Sequence, residues 1–180
     1  MAIKAPESFE TERLQLRKPR LQDAQSLFDT YTHDTEVTRY LAWKPHASID
    51  QTLEFLERCQ RVWATGESCP YVMESRQDGA LLGMIELRLE GHSAGLGYVL
   101  AKAHWGKGIM TEAAQALVDW SLAQPDIFRV FAFCDTENVG SARVMEKVGM
   151  QREGRMRRYF VHPNLGGEPR DVFMYAKVKD

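Results

Sequence analysis

No apolar run in this sequence approaches the roughly 20 residues that a membrane-spanning helix needs. Met1 to Glu12 holds no apolar core segment, so no secretory leader is expected. Cysteine is scarce. Cys59, Cys69 and Cys134 are an odd three, and none lies in a C-x-x-C or other metal-ligand spacing. Reduced thiols and a cytoplasmic protein are expected, with Cys59 and Cys134 buried and no metal site. An excess of one charge is also lacking: a net charge of -2 over 180 residues gives no pull toward nucleic acid or an anionic membrane. Repeats, low-complexity tracts and Pro/Gly/Ser-rich linkers are absent, so residues 1–180 read as one domain, long enough to bury a core.

What is there is an ordered series of element signals. Arg13 to Arg17 alternates polar and apolar residues, as a half-buried strand does. Leu21, Ala24, Leu27, Phe28 and Tyr31 recur at helical spacing, and a short helix is expected over Thr35 to Leu41 before Trp43-Lys44-Pro45. Ser48 with Gln51 has capping-box form and opens a helix that Gly66 ends. Tyr71 to Arg76 and Leu81 to Leu89 read as a hairpin around Gln77-Asp78-Gly79. Gly95 to Ala101 predicts a further strand. A glycine-bearing loop and a helix with Met110, Ala113, Ala114 and Leu117 on its buried stripe follow. Phe128 to Cys134 reads as a buried strand and Asn138 to Val148 as a helix ended by Gly149. Two last strands are expected near Met150 to Tyr159 and Asp171 to Val178. The order implies an α/β fold with a mixed, mostly antiparallel sheet and helices on both faces.

The loop Trp105-Gly106-Lys107-Gly108-Ile109-Met110-Thr111 joins a strand to a helix N-terminus. Two glycines let backbone pass close to a ligand, and the helix start offers unpaired N–H groups and the positive end of its dipole. That combination suits a pyrophosphate, with Lys107 adding charge and Thr111 a hydroxyl. It is neither a Walker loop nor a dinucleotide fingerprint, and alone it is equally a tight turn. The second signal is Asp135-Thr136-Glu137-Asn138-Val139-Gly140-Ser141, one strand later, running on to Glu146-Lys147-Val148-Gly149-Met150.

Together these segments resemble the GNAT family of N-acetyltransferases. Trp105 to Met110 is similar to the family's Q/R-x-x-G-x-G/A loop, with Trp for Gln/Arg and Met for Gly/Ala. Asn138 and Ser141 match its N-x-x-S/A helix start. Thr11 to Arg17 and Arg170 to Ala176 look like the Rim-type ribosomal-protein N-acetyltransferase subgroup. The resemblance spans nearly the whole chain. It implies acetyl-CoA as cosubstrate, a GNAT-like sheet splayed near 95–101, and a primary amine as acceptor on a protein, peptide or small molecule. It also implies pyrophosphate held by Trp105, Gly106, Lys107, Gly108, Ile109, Met110 and Thr111, and pantetheine by Tyr98, Val99, Leu100, Asn138 and Ser141. A homodimer is common in the subgroup. No nucleic-acid or membrane partner is implied.

Direct transfer from a thioester needs an oxyanion donor, a proton for the leaving thiolate and an acceptor for the amine's proton. The resemblance assigns the first to backbone N–H groups at Tyr98 to Leu100. Gly95 and Gly97 read either as marks of an open strand or as packing positions. The family's usual glutamate base falls near Gly95, so Glu86 is the first substitute; it reads equally as an outward-facing strand residue. His92, His104 and water are further candidates. Ser141 is the candidate acid, or a helix-turn residue bonding locally. The usual family tyrosine is Met145 here, and the glutamate of Rim-type relatives is Phe160. Asn138 is expected both to cap its helix and to meet pantetheine. Lys147 reads as a phosphate contact or a solvated lysine. Tyr40 and Trp43 are candidates for the acceptor wall, with Tyr31 a weaker one; core packing is the other reading. The basic run Arg155 to Tyr159 fits either an acidic ligand or a solvated face. A CoA-binding sensor without turnover is the alternative function.

Overall fold

The computed structural model describes residues 3–179. Its strands are β1 Ser8–Glu10, β2 Leu14–Arg17, β3 Cys69–Ser75, β4 Leu81–Glu90, β5 Ser93–Leu100, β6 Arg129–Asp135, β7 Gln151–Val161 and β8 Pro169–Val178. The α-helices are α1 Ala24–Leu27, α2 Ile49–Thr65, α3 Ile109–Ala123 and α4 Val139–Lys147. All the strands form one sheet in the order β1-β2-β3-β4-β5-β6-β8-β7. Among the described residues only β5 and β6 run parallel, as the β5–α3–β6 crossover demands.

Helices cover both faces. On one, Leu87, Leu96, Ala113, Leu117, Val130 and Tyr175 close the main core beneath α3 and α4. On the other, Leu27, Tyr31, Leu56, Cys59, Val72 and Met84 join α1 and α2 to the sheet. Each such side chain, fully buried, contributes about 1.5–3 kcal/mol before entropy is counted. Among the described residues, no residue of β6, β7 or β8 joins this second core. Cys59, Cys69 and Cys134 are free and buried.

Local chemistry explains where the elements differ from expectation. The first helix is a short 3-10 turn, one α turn and a π stretch over Phe28–Thr32, a widened register that buries both Tyr31 and Thr32. No helix forms over Thr35 to Leu41. Asp34 Oδ1 accepts the N–H groups of Glu36 at 2.8 Å and Val37 at 3.2 Å, an aspartate turn that competes with helix. Ser48 is the N-cap of α2 but makes no side-chain cap bond. Gln51 reaches past it to the Ala47 N–H, 2.7 Å away. The three-residue β1 pairs with β2 and has too little alternation to be read from sequence.

Tyr31 lies fully buried in the second core, so it is a packing residue rather than part of an acceptor wall.

Candidate active site

The pairing of β5 with β6 is short. It runs Ser93↔Arg129, Ala94↔Val130, Gly95↔Phe131 and stops. Beyond it β5 stays with β4 as far as Leu100↔Gly83, while β6 follows β8 as far as Asp135↔Val172. The sheet is therefore splayed along Leu96–Leu100, where one edge of β5 carries backbone groups without a strand partner. Tyr98, Val99 and Leu100 lie on this edge and are partly exposed.

One side of the gap is closed by α4. Asn138 is its N-cap, and its Oδ1 accepts the Ser141 N–H at 3.2 Å. The Tyr98 phenol crosses the gap to Ser141, lying 2.9 Å from Oγ and 3.2 Å from the carbonyl oxygen it donates to. Burial pushes the Tyr98 phenol pKa up, so it stays a neutral donor. Cys134 lies beside Ser141; burial pushes its thiol up to about 11, against the lowering effect of the Ser141 hydroxyl. Sequence reasoning kept Cys134 and the Tyr98 side chain out of the site. Their meeting with Ser141 depends on the long-range packing of α4 over β5 and β6.

The glycine loop lies where β5 ends. Gly106 and Gly108 have φ of 74° and 75°, the left-handed region that favours glycine. A Cβ at Gly106 would have nothing within 4 Å, so the backbone there is open to a ligand. The Trp105 indole N–H donates to the Leu100 carbonyl at 2.8 Å, tying the loop to the strand end. Ile109 and Met110 are buried in the core, so only their backbone N–H groups face outward with that of Thr111. Lys107 is exposed.

Arg13 and Glu112 complete the loop, and neither was singled out from sequence. Arg13 donates to the Lys107 carbonyl at 3.0 Å and to Glu112 at 2.6 Å, while Thr11 and the Arg13 N–H also donate to Glu112 at 2.6 and 2.8 Å. Burial raises the Glu112 pKa, but these donors outweigh it and hold it low. Glu112 sits in the first turn of α3, where a bare carboxylate would repel an anion; Arg13 neutralises it. A hollow of about 610 Å³ flanks the loop, lined by residues that include Arg13, Arg76, His104 and Lys107.

The face of the splay turned away from α3 and α4 has different chemistry. Glu86 on β4 lies opposite Gly97 and is ion-paired with Arg88. A Cβ at Gly97 would lie 3.3 Å from Arg88 Nη1, and one at Gly95 3.2 Å from Phe131 Cζ. The two glycines are thus packing positions that make room for Arg88 and Phe131. Phe133 sits 5.4 Å from both Tyr159 and Phe160, and His162 lies 4.8 Å from Phe160 and 6.1 Å from Tyr40. Tyr40 therefore borders this aromatic floor. Trp43 joins His46 and Phe55 at 5.0 and 6.1 Å, packed against the second core. Asn164 holds the intervening segment by donating to the carbonyls of Thr38 and Trp43 at 2.7 and 2.8 Å. His92 lies in the β4–β5 turn, at the far end of β5 from the splay, and His104 ends the 3-10 turn Lys102–His104 just before the glycine loop. Lys147 ends α4. Among the described residues no group of histidine, cysteine or carboxylate side chains is arranged to hold a metal.

A splayed parallel pair with a glycine loop at its end and an Asn-capped helix beside it narrows the comparison with known proteins. The acetyltransferase (GNAT) domain model matches residues 13–151. The chain belongs to the GNAT family. It is 30% identical over 176 residues to the uncharacterized N-acetyltransferase p20 of Bacillus licheniformis, covering 96% of this chain and 97% of that one. A GNAT acetyltransferase from Bacillus anthracis superposes with a TM-score of 0.81 at 28% identity, covering 95% of this chain and 98% of that one. RimL, a ribosomal L7/L12 alpha-N-protein acetyltransferase solved with coenzyme A, superposes with a TM-score of 0.84 at 24% identity, covering 97% and 99%. The GNAT enzyme described here is an N-acetyltransferase with acetyl-CoA as the acetyl donor.

Its loop fits that donor. The open backbone at Gly106, the α3 N-terminus and the neutralised Glu112 suit a pyrophosphate. Gly108→Val is expected to raise the Kd for CoA about tenfold or more, because a β-branched residue held at positive φ costs on the order of 1–3 kcal/mol. Isothermal titration with CoA measures it, and an unchanged Kd would remove the loop from the site.

Proposed function

We propose that this enzyme acetylates the N-terminal α-amine of a protein or peptide, with Ser141 and Glu86 on opposite sides of the splay. The observation that carries the reading is the end of β5–β6 pairing at Gly95↔Phe131, which opens the backbone of Tyr98 to Leu100 between them. In this reading those N–H groups receive the developing oxyanion, Ser141 donates to the leaving sulfur, and Glu86 takes the amine's proton directly or through one water. Asn138 already caps α4 with its side-chain carbonyl, and its amide N–H₂, without a partner among the described residues, donates to pantetheine. Tyr40 lines the acceptor's path and Trp43 stiffens it from behind. An α-amine, with a pKa of about 8 against about 10.4 for a lysine, needs the weaker base. That matters here because Phe160 stands where Rim-type relatives are expected to carry a glutamate, and its ring belongs to the aromatic floor.

The RimL comparison supports a protein amine without naming this chain's target. A homodimer and a cytoplasmic location complete the reading, in keeping with three free, buried thiols. Thiol release from acetyl-CoA in the presence of N-terminal peptides, lysine peptides and polyamines tests it. Peptides with free α-amines are expected to turn over fastest. Silence across the panel with CoA bound would instead support a cofactor-binding sensor.

A further inference from the structure

The strand β7 is the last in the sheet, and every residue of Gln151–Val161 except Phe160 is exposed. Its pairing with β8 breaks between Met156↔Val172 and Phe160↔Arg170, so Arg157, Arg158 and Tyr159 bulge out opposite Asp171 alone. Arg158 has φ of 47°, the only non-glycine residue at positive φ among the described residues. The strain is held in place: Asp171 accepts the Arg158 N–H at 2.8 Å and Arg155 Nε at 2.7 Å. A bulge of this kind re-aims side chains at a sheet edge. Here it turns Tyr159 edge-on to Phe133, 5.4 Å away on the acceptor floor, and leaves Arg157 and Arg158 at the rim.

Charge is concentrated there although the whole chain carries a net -2. Glu153 is taken by Arg129, at 2.7 and 2.6 Å, and Asp171 by Arg155. Arg157 and Arg158 then have no ion-pair partner among the described residues. Open strand edge, fixed bulge and guanidiniums without an ion pair thus come together at one edge of the sheet.

The geometry points to docking of an acidic stretch of the acceptor polypeptide on the Arg157–Arg158 bulge and the free edge of β7. This deepens the α-amine reading above and rests on it. Edge backbone offers strand-like hydrogen bonds, and the arginines choose the side chains. From β5 to β7 are three strand spacings, the first widened by the splay, so at least about 14 Å, which takes an extended chain about four to five residues or more. Acidic side chains from about the fourth residue onward from the acetylated amine therefore meet the bulge. A second copy of this chain is the poorer occupant. Antiparallel β7–β7 pairing would set Arg155, Arg157 and Arg158 against the same arginines.

The test uses two ten-residue peptides with free Ser-Ala-Ala N-termini, one continuing in glutamate and one in glutamine, with the full chain and acetyl-CoA. The glutamate peptide is expected to have a KM at least tenfold lower at equal kcat, an advantage that shrinks as salt rises. Arg157→Glu with Arg158→Glu is expected to abolish the advantage and leave the glutamine peptide's kinetics unchanged. Arg157→Lys with Arg158→Lys retains most of it. Fluorescence anisotropy of the labelled peptides on the enzyme–CoA complex reads docking even where no acetyl moves. Docking without turnover thus counts against the α-amine reading and not against this surface. Equal affinity for both peptides overturns the proposal. So does a preference that survives the double glutamate variant, or a solution dimer that the same variant dissociates.

Discussion

Ser141→Ala is expected to lower kcat by roughly a hundredfold, at the lower end of the range for a lost proton donor, while the Kd for CoA changes less than about threefold. The reasoning starts from the leaving group. A thiol of pKa about 8.5 departs without full protonation, so the donor's contribution is moderate. Ser141 Oγ is held by the Tyr98 phenol at 2.9 Å, and its backbone N–H is fixed by Asn138. Removing the hydroxyl leaves helix and cap intact, so the cofactor still binds. Tyr98→Phe provides the internal comparison. It frees Ser141 without removing it, and a smaller loss of kcat is expected, with little change in KM for the amine. Pre-steady-state thiol release separates chemistry from product release. Full activity in Ser141→Ala would falsify its role; equal loss of CoA affinity would make it a binding residue.

Asp135→Ala is expected to destabilise the fold by about 3 kcal/mol, a fall in Tm of about 6–12 °C for a chain this size. Asp135 ends β6 with its side chain fully buried. It accepts Arg170 Nε at 2.6 Å, Arg170 Nη2 at 3.2 Å and the Glu137 N–H at 2.9 Å, and lies 3.4 Å from His162 Nε2. Alanine leaves two donors without their acceptor and His162 in a site where neither ring nitrogen has a hydrogen-bond partner. Arg170 keeps Glu137 at 3.0 Å and is partly exposed, which holds the loss to the lower end for a broken buried pair. Burial raises the Asp135 pKa, but the Arg170 and Glu137 hydrogen bonds outweigh it and hold it below the usual carboxylate range. A depressed folded pKa contributes stability above the unfolded value of about 3.9 and loses it as pH falls through the folded value. The gap in Tm between wild type and variant is therefore expected to be full at pH 6–7 and to narrow steadily below about pH 4. Calorimetry across that range reads it. A gap that widened on acidification would show that the pair is held together in some other way.

The parts of the site that depend on neighbours in sequence were legible in it. Gly106 and Gly108 open α3 within four residues, so composition and position suffice to place the tight turn at its N-terminus. Asn138 caps α4 by reaching three residues ahead, a spacing visible in the chain. Parts made by distant residues were hidden. Arg13 and Glu112 are 99 positions apart, and Tyr98 and Ser141 are 43 apart; each pair reads as unrelated polar residues until strands and helices pack. The expected helix at Thr35 to Leu41 failed because an aspartate turn and Asn164 captured that backbone, a contest that apolar periodicity does not record.

Hydrophobic period, caps and glycine positions act locally and repeat along the chain, so the sequence carried the family, the helices on both faces and the element order apart from β1 and the segment Thr35 to Leu41. Long-range packing alone set where β5 leaves β6, that Glu86 is held by Arg88, that Trp43 turns toward the core while Tyr40 borders the aromatic floor, and that Arg158 is strained within an edge bulge. The physical reason is register. Which residues face each other across a sheet follows from the summed packing of all its strands, and no window of sequence contains that sum.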